Sequence, residues 1–292
     1  MPILVTGATG TIGRRLLPHL AGQGVDVRAL TRAPDRAALP DGVTPVAGDL
    51  LDVEAMRAAL AGVRTLFLLA AVTPAELTQS LLTLALAREA GVTRLVYLSV
   101  FHAETFADVP HFAAKHAVEQ AIAQAGLSAT LLRPNCFMQN DAAYFRDPLL
   151  GPGIYPFPIG ARGVSMVDVD DIAAVAAAAL LRRHRAEDVP PTEVLNLVGP
   201  EALTGPGIAA TWAGLLGTPV RYGGDDARGF ERHLAHRAPG WMAMDMRLML
   251  ERFQADGMRG SAADVATMTR WLGRPPRAYA AFAAETLARW RG

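Results

Sequence analysis

The first 135 residues alternate short apolar runs with longer segments whose apolar positions recur at helical spacing. The runs "ILVTG" (3–7), "DVRALTR" (26–32), "VTPVAGD" (43–49), "TLFLLAA" (65–71), "RLVYLSV" (94–100) and "SATLLRP" (128–134) read as six strands. Between them, "TIGRRLLPHLAGQG", "VEAMRAALAG" (53–62), "LTQSLLTLALAREAG" (77–91) and "HFAAKHAVEQAIAQAG" (111–126) read as helices, with Gly91 and Gly126 placed where helices stop. Strands of continuous apolar character spaced by helices predict a parallel sheet covered on both faces, an α/β doubly wound fold.

The pattern breaks over 137–165, where "DPLLGPGIYPFPIGARG" is rich in Pro and Gly and reads as a long irregular substrate loop. "VDVDDIAAVAAAALLRRHR" (167–185) then predicts a helix with acids in its first turn and bases in its last, matching the helix dipole. "VLNLVG" (194–199) predicts a seventh strand, and beyond 205 the chain is mostly helical with no further strong strand. The expected division is therefore a first domain over 1–200, containing the 137–165 loop, and a small helical region over 201–292. That region is expected beside the C-terminal edge of the sheet, where such folds bind ligands.

Composition narrows the function. Of 292 residues, 51% are hydrophobic and 19% charged, as in a folded globular protein. The 28 acidic and 28 basic side chains balance, which argues by charge against a nucleic-acid partner. The longest apolar runs, 65–72 and 172–181, fall short of the roughly 20 residues of a membrane helix, so no membrane partner is expected. A single cysteine, Cys136, suits a reducing compartment, and the first residues carry no basic stretch ahead of an apolar one. The expectation is a cytoplasmic protein acting on a small-molecule substrate, with homo-oligomer and protein partner both open.

The chemistry begins at "GATGTIG", which puts Gly7, Gly10 and Gly13 after the first strand and into the first helix. The first glycine permits the tight turn, the second lets backbone amides approach a pyrophosphate, and the third allows close helix–sheet contact. In this strand–turn–helix setting the motif is a dinucleotide site. The second strand ends at Arg32 with no acid before Asp35. Arginine pairs a 2′-phosphate where an acid would bind a free 2′-hydroxyl, so the expected cofactor is NADP(H), with Arg36 assisting. Asp49, in "GDL", stands either near the adenine amino group or as the cap of the next helix.

"VTGATGTIG" (5–13), "LTR" (30–32), "GDL" (48–50), "LVYLSV" (95–100), "HFAAKHAVEQAI" (111–122), "LLRPNCFMQN" (131–140), "SMVDVDDIAAVAAAAL" (165–180) and "LNLVGPEALT" (195–204) together resemble the NmrA-like group of atypical short-chain dehydrogenases/reductases. "MTRWLGRPPRAYAAF" (268–282) is similar to its closing helices. The resemblance implies a Rossmann-like domain, NADP(H) binding and a small C-terminal region that covers substrate. It implies cofactor contacts at Thr9, Thr11, Ile12, Leu50, Ala70 and Ser99 besides the three glycines. Members include quinone and triphenylmethane-dye reductases, and also redox-sensing regulators that bind the dinucleotide without turnover.

The typical short-chain dehydrogenase carries Tyr-x-x-x-Lys on a helix, with both side chains on one face. Here the matching stretch runs from His111 to Lys115, so the lysine is kept and the tyrosine is histidine. Lys115 is the only lysine beside 27 arginines. A compact ammonium satisfies two ribose hydroxyls where a planar guanidinium would not fit. The alternative is a surface lysine pairing Glu119 one turn on. Lys115 and His111 are the catalytic candidates, with His102 competing for the proton-donor role. In the family, the segment after the sixth strand passes the nicotinamide, which makes Asn135 and Phe137 pocket candidates. Tyr155 and Phe157 could roof an aromatic substrate, and Cys136 reads as a small buried side chain. "HLAH" (233–236) offers no third ligand, so no metal is expected.

Overall fold

The computed structural model describes residues 1–292. In chain order the elements are β1 (Ile3–Val5), α1 (Gly13–Leu20), β2 (Val27–Thr31), β3 (Val43–Ala47), α2 (Val53–Leu60), β4 (Thr65–Leu68), α3 (Glu76–Glu89), β5 (Arg94–Leu98), α4 (Pro110–Gln124) and β6 (Ala129–Pro134). They continue with α5 (Gln139–Tyr144), α6 (Arg146–Leu150), β7 (Ile154–Tyr155), α7 (Val169–Arg185), β8 (Glu193–Leu197), α8 (Gly205–Leu216) and β9 (Arg221–Tyr222). The last four helices are α9 (Ala227–Leu234), α10 (Gly240–Ala255), α11 (Ala262–Leu272) and α12 (Tyr279–Arg291). No helix is long and apolar enough to cross a membrane.

Seven strands form one sheet in the order β3-β2-β1-β4-β5-β6-β8. The pairs from β3 through β6 are all parallel. Strand period 2 divides the side chains between two faces. Leu4, Leu30, Leu66, Leu95, Tyr97 and Leu131 enter a core with Met56 of α2, Leu84 of α3 and Val118 of α4. On the other side α1 packs against α7, and α7 against β4 and β5. Both faces are covered, which is why the strands read as unbroken apolar runs. The fold is Rossmann-like and doubly wound, and the chain order reverses between β1 and β4, the point where such sheets bind ligands.

The chain forms two compact units. The first comprises Met1–Ala103, His111–Arg133 and Val169–Leu195; the second comprises Glu104–Pro110, Pro134–Asp168 and Asn196–Gly292. The division thus differs from a single boundary at 200. The segment 137–165 is irregular only in part: it holds α5, α6 and β7 before an extended stretch over 156–163, and it belongs with the C-terminal helices. Val164 exchanges two backbone hydrogen bonds with Leu203, at 2.8 and 2.9 Å, and Ser165 N–H donates to the Met258 carbonyl at 2.9 Å. β7 pairs in parallel with β9, a two-residue strand where none was expected. The glycines of this segment are turn residues: Gly153 has φ 65, and a Cβ there would lie 2.6 Å from the Pro219 carbonyl oxygen.

Candidate functional site

Because the strands run parallel, the residues that follow them collect along one edge in strand order: Asp49 after β3, Arg32 after β2, Gly7 after β1, Ala70 after β4 and Ser99 after β5. The hydroxyl of Thr6 accepts the N–H of Leu69 at 2.8 Å and lies 3.0 Å from the Leu69 carbonyl, tying the end of β1 to the end of β4. Gly7 then turns at φ 61, where a Cβ would come 2.9 Å from the Leu69 side chain. Gly10 N–H donates to the Gly7 carbonyl at 3.0 Å. A Cβ on Gly13 would lie 2.6 Å from the Cα of Ala8, with the Gly7 carbonyl closer still.

The loop therefore closes on itself as only glycine allows. Thr9, Gly10 and Thr11 are exposed, while Ile12 is buried beneath them. No side chain caps α1 and no acid lies in its first turn. The N–H groups of Arg14 and Arg15 donate to the Gly10 and Ile12 carbonyls, both at 3.0 Å, so the amides open to an anion are those of Thr11, Ile12 and Gly13, and this cradle fits a diphosphate.

Arg32 and Arg36 are both exposed. Asp49 accepts the N–H of Leu51 at 3.0 Å, and the cap of α2 is Asp52, which accepts from Ala55. The cap alternative for Asp49 is thereby corrected. Leu50 packs against the core on the α2–α4 face. Ala70 is buried, and so is Ser99, whose Oγ has no hydrogen-bond partner.

The helices α3 and α4 share one face of the sheet, and this brings Lys115 to Glu76, the first residue of α3. Lys115 Nζ donates to Glu76 Oε1 at 2.6 Å, with the two residues 7% and 3% exposed. Glu119 does not take the lysine: it accepts Nε and Nη2 of Arg133 at 2.9 and 2.6 Å. The surface-lysine alternative fails on both counts. Nearby, burial and then the charges of Glu76 and Glu119 hold the Tyr97 phenol well above its usual range.

His111 lies one turn before Lys115 on α4, its ring edge-on to Phe112 at 4.6 Å between centroids. His102 has φ 61, the one non-glycine residue in the left-handed region, with its ring 4.0 Å from that of Phe101.

The remaining candidates lie in the second unit. Asn135 Nδ2 donates to the Met258 carbonyl at 2.7 Å, and its Oδ1 accepts the Cys136 N–H at 2.7 Å, so both ends of the amide hold backbone. Phe137 is half-buried and bridges to Val167. Tyr155 is fully buried, with its hydroxyl 3.3 Å from Asp141 Oδ1. Asp141 also accepts from Tyr279, whose hydroxyl accepts the indole N–H of Trp212 at 3.0 Å. Burial raises Asp141 to about 7, while the two tyrosine hydroxyls oppose that rise. Cys136 is half-buried, not buried as expected, and desolvation of its thiol and the neighbouring Asp141 carboxyl push it up to about 12. The ring of Phe157 packs on Phe145 and Phe230 at 5.5 and 5.6 Å. Glu76, Asp141 and Tyr279 were not singled out in the sequence.

A family model described as the NmrA-like family matches residues 1–259. An NAD(P)H azoreductase of Xenophilus azovorans is 33% identical over 223 residues, 75% of this chain and 76% of the relative. A (4-alkanoyl-5-oxo-2,5-dihydrofuran-3-yl)methyl phosphate reductase of Streptomyces griseus is 35% identical over 290 residues, 97% of each chain. Among solved structures, an NADPH-dependent quinone oxidoreductase of Escherichia coli complexed with NADPH superposes with TM-score 0.84 at 24% identity, covering 98% of this chain and 99% of that one. A Citrobacter triphenylmethane reductase complexed with NADP(H) gives TM-score 0.84 at 21% identity over the same shares. At these identities the structural likeness establishes the fold.

Proposed function

The chain belongs to the NmrA-like family, and on that premise we propose that it is an NADPH-dependent reductase that delivers a hydride to a small conjugated acceptor, a quinone, an enone or an imine. The observation that carries this reading is Lys115. The only ammonium side chain in the sequence is buried on the helix after β5 and held by a buried carboxylate. A lysine placed for solubility would be exposed. One kept for the ribose of a nicotinamide needs a fixed direction, which the Glu76 contact supplies here.

The glycine cradle and its loop amides would hold the diphosphate, Arg32 the 2′-phosphate, Asp49 the adenine end, and Lys115 the nicotinamide ribose. When bound, the dinucleotide supplies the hydride. The protein's own part is to fix the angle of delivery. No tyrosine stands at position 111 to protonate an alkoxide. That favours acceptors whose reduced form takes its proton from solvent or from His111 or His102. The names of two relatives point the same way, since an azo compound and an oxo-dihydrofuran are both unsaturated acceptors.

The test is NADPH oxidation by the purified protein against quinones, enones, imines and azo compounds. Turnover on any of them supports the reading. Tight NADPH binding with no turnover on all of them would assign the protein to the redox-sensing regulators instead. The cofactor choice has its own test. Arg32→Ala should weaken NADPH binding about 10- to 100-fold, the worth of a charged hydrogen-bonded pair, and leave NADH binding nearly unchanged. Equal losses for the two nucleotides would remove Arg32 from the 2′-phosphate.

A further inference from the structure

We propose that Glu76 is the positioning residue for Lys115, fixing the ammonium so that its free N–H groups meet the nicotinamide ribose. The inference rests on the reading of Lys115 as the ribose clamp and adds a residue to that same site.

Both partners are withdrawn from water, and the 2.6 Å contact is the bond that α3 contributes to α4 at this point. An ammonium taken out of water is tolerated opposite a carboxylate and is costly without one. Beyond compensating charge, the contact removes a degree of freedom. A lysine ammonium has three donors that rotate together about the Cε–Nζ bond. Pinning one on Glu76 sets the cone on which the other two lie. Two donors is the number needed for two vicinal hydroxyls.

The surroundings of Glu76 point to a role other than an ordinary helix start. An acid in a first turn normally faces solvent and the helix dipole, whereas Glu76 is 3% exposed and directed at a neighbouring helix. Glu119, the other buried acid on this face, is fully committed to Arg133, so it cannot substitute. Glu76 is the one hydrogen-bond partner of Nζ. The four-carbon lysine stem is flexible, and without Glu76 the ammonium has no fixed direction.

The experiment compares binding of NADPH with binding of adenosine 2′,5′-bisphosphate, which carries the adenine half of the cofactor and no nicotinamide ribose. Titration calorimetry on wild type, Glu76→Gln, Lys115→Met and the double variant supplies the data, with thermal melts recording that each is folded. Glu76→Gln should weaken NADPH about tenfold, the worth of one charged hydrogen bond, and leave the bisphosphate unchanged. In the Lys115→Met background, Glu76→Gln should have no further effect on NADPH, since a residue that acts through the lysine has nothing left to position.

A general structural lesion would weaken both ligands alike, and that result overturns the proposal. So does an unchanged NADPH affinity in Glu76→Gln while Lys115→Met loses it. If Lys115→Met itself binds NADPH as wild type does, the clamp reading fails and takes the proposal with it. Should Glu76→Gln not fold, Glu76→Asp keeps the charge but shortens the reach, and the same comparison of ligands decides.

Discussion

Gly13→Ala is expected to lose NADPH binding by at least about 100-fold, the worth of two or more charged hydrogen bonds to loop amides. The added Cβ would sit 2.6 Å from both the Cα and the carbonyl oxygen of Ala8, with the Gly7 carbonyl closer. All three obstacles are backbone, so no side chain can rotate away. The strand end behind them is tied to β4 through Thr6. The loop must therefore shift, at a cost in stability of about 1–3 kcal/mol for overpacking of this kind. Gly10→Ala provides the contrast. Its Cβ has 3.2 Å to the Gly7 carbonyl and open space otherwise, so the fold should tolerate it. Calorimetric titration with NADPH and a thermal melt check both variants. Wild-type NADPH affinity in Gly13→Ala would show that the loop is not the diphosphate site.

The second large effect is in the pH dependence of stability. Asp141 is raised to about 7 in the fold, against 3.8 for an unperturbed aspartate. Between those values the folded state holds a proton that the unfolded chain has released, so stability falls as pH rises and levels off above about 7. The full difference amounts to about 4 kcal/mol. Asp141→Asn keeps the shape and carries no charge. It should flatten the profile and be more stable than wild type at pH 8, while matching or trailing it at pH 5. Urea denaturation of both proteins at the two pH values makes the comparison. A wild type equally stable at both would mean that Asp141 stays charged, held by Tyr155 and Tyr279.

The sheet was legible because both its faces are covered, and the strand starts at 3, 43, 65 and 94 coincide with the apolar runs. The strand ends were less so. "TLFLLAA" reads as strand to residue 71, but β4 stops at Leu68 because the Leu69 amide turns to the Thr6 hydroxyl instead of a neighbouring strand. The segment 137–165 was legible only in part, for a different reason. Pro and Gly content reports local turns, whereas the partners of Val164 are Leu203 and Met258, far along the chain.

The site divides in the same way. The glycine cradle is local, and its spacing alone placed it. Glu76 looked like one more acid at a helix start, and only the common face of α3 and α4 sets it against Lys115. Asp141 sits in an unremarked "QNDAAY", and its partner Tyr279 is 138 residues away. What the sequence did carry was the exception in its own composition, one lysine among 27 arginines.

The proposed reaction turns on that one lysine. The direct measurement is kcat/KM for NADPH oxidation, with the best acceptor from the panel, by wild type, Lys115→Met and Lys115→Arg. The arginine variant keeps the charge and alters only the shape of the donor group. Both variants should fall to about one-hundredth of wild type or below, the arginine no better rescued than the methionine, because misplacing the reacting group is that costly. Turnover in Lys115→Arg within about threefold of wild type would contradict this, since a difference that small is under 1 kcal/mol and leaves no special task for an ammonium at this position.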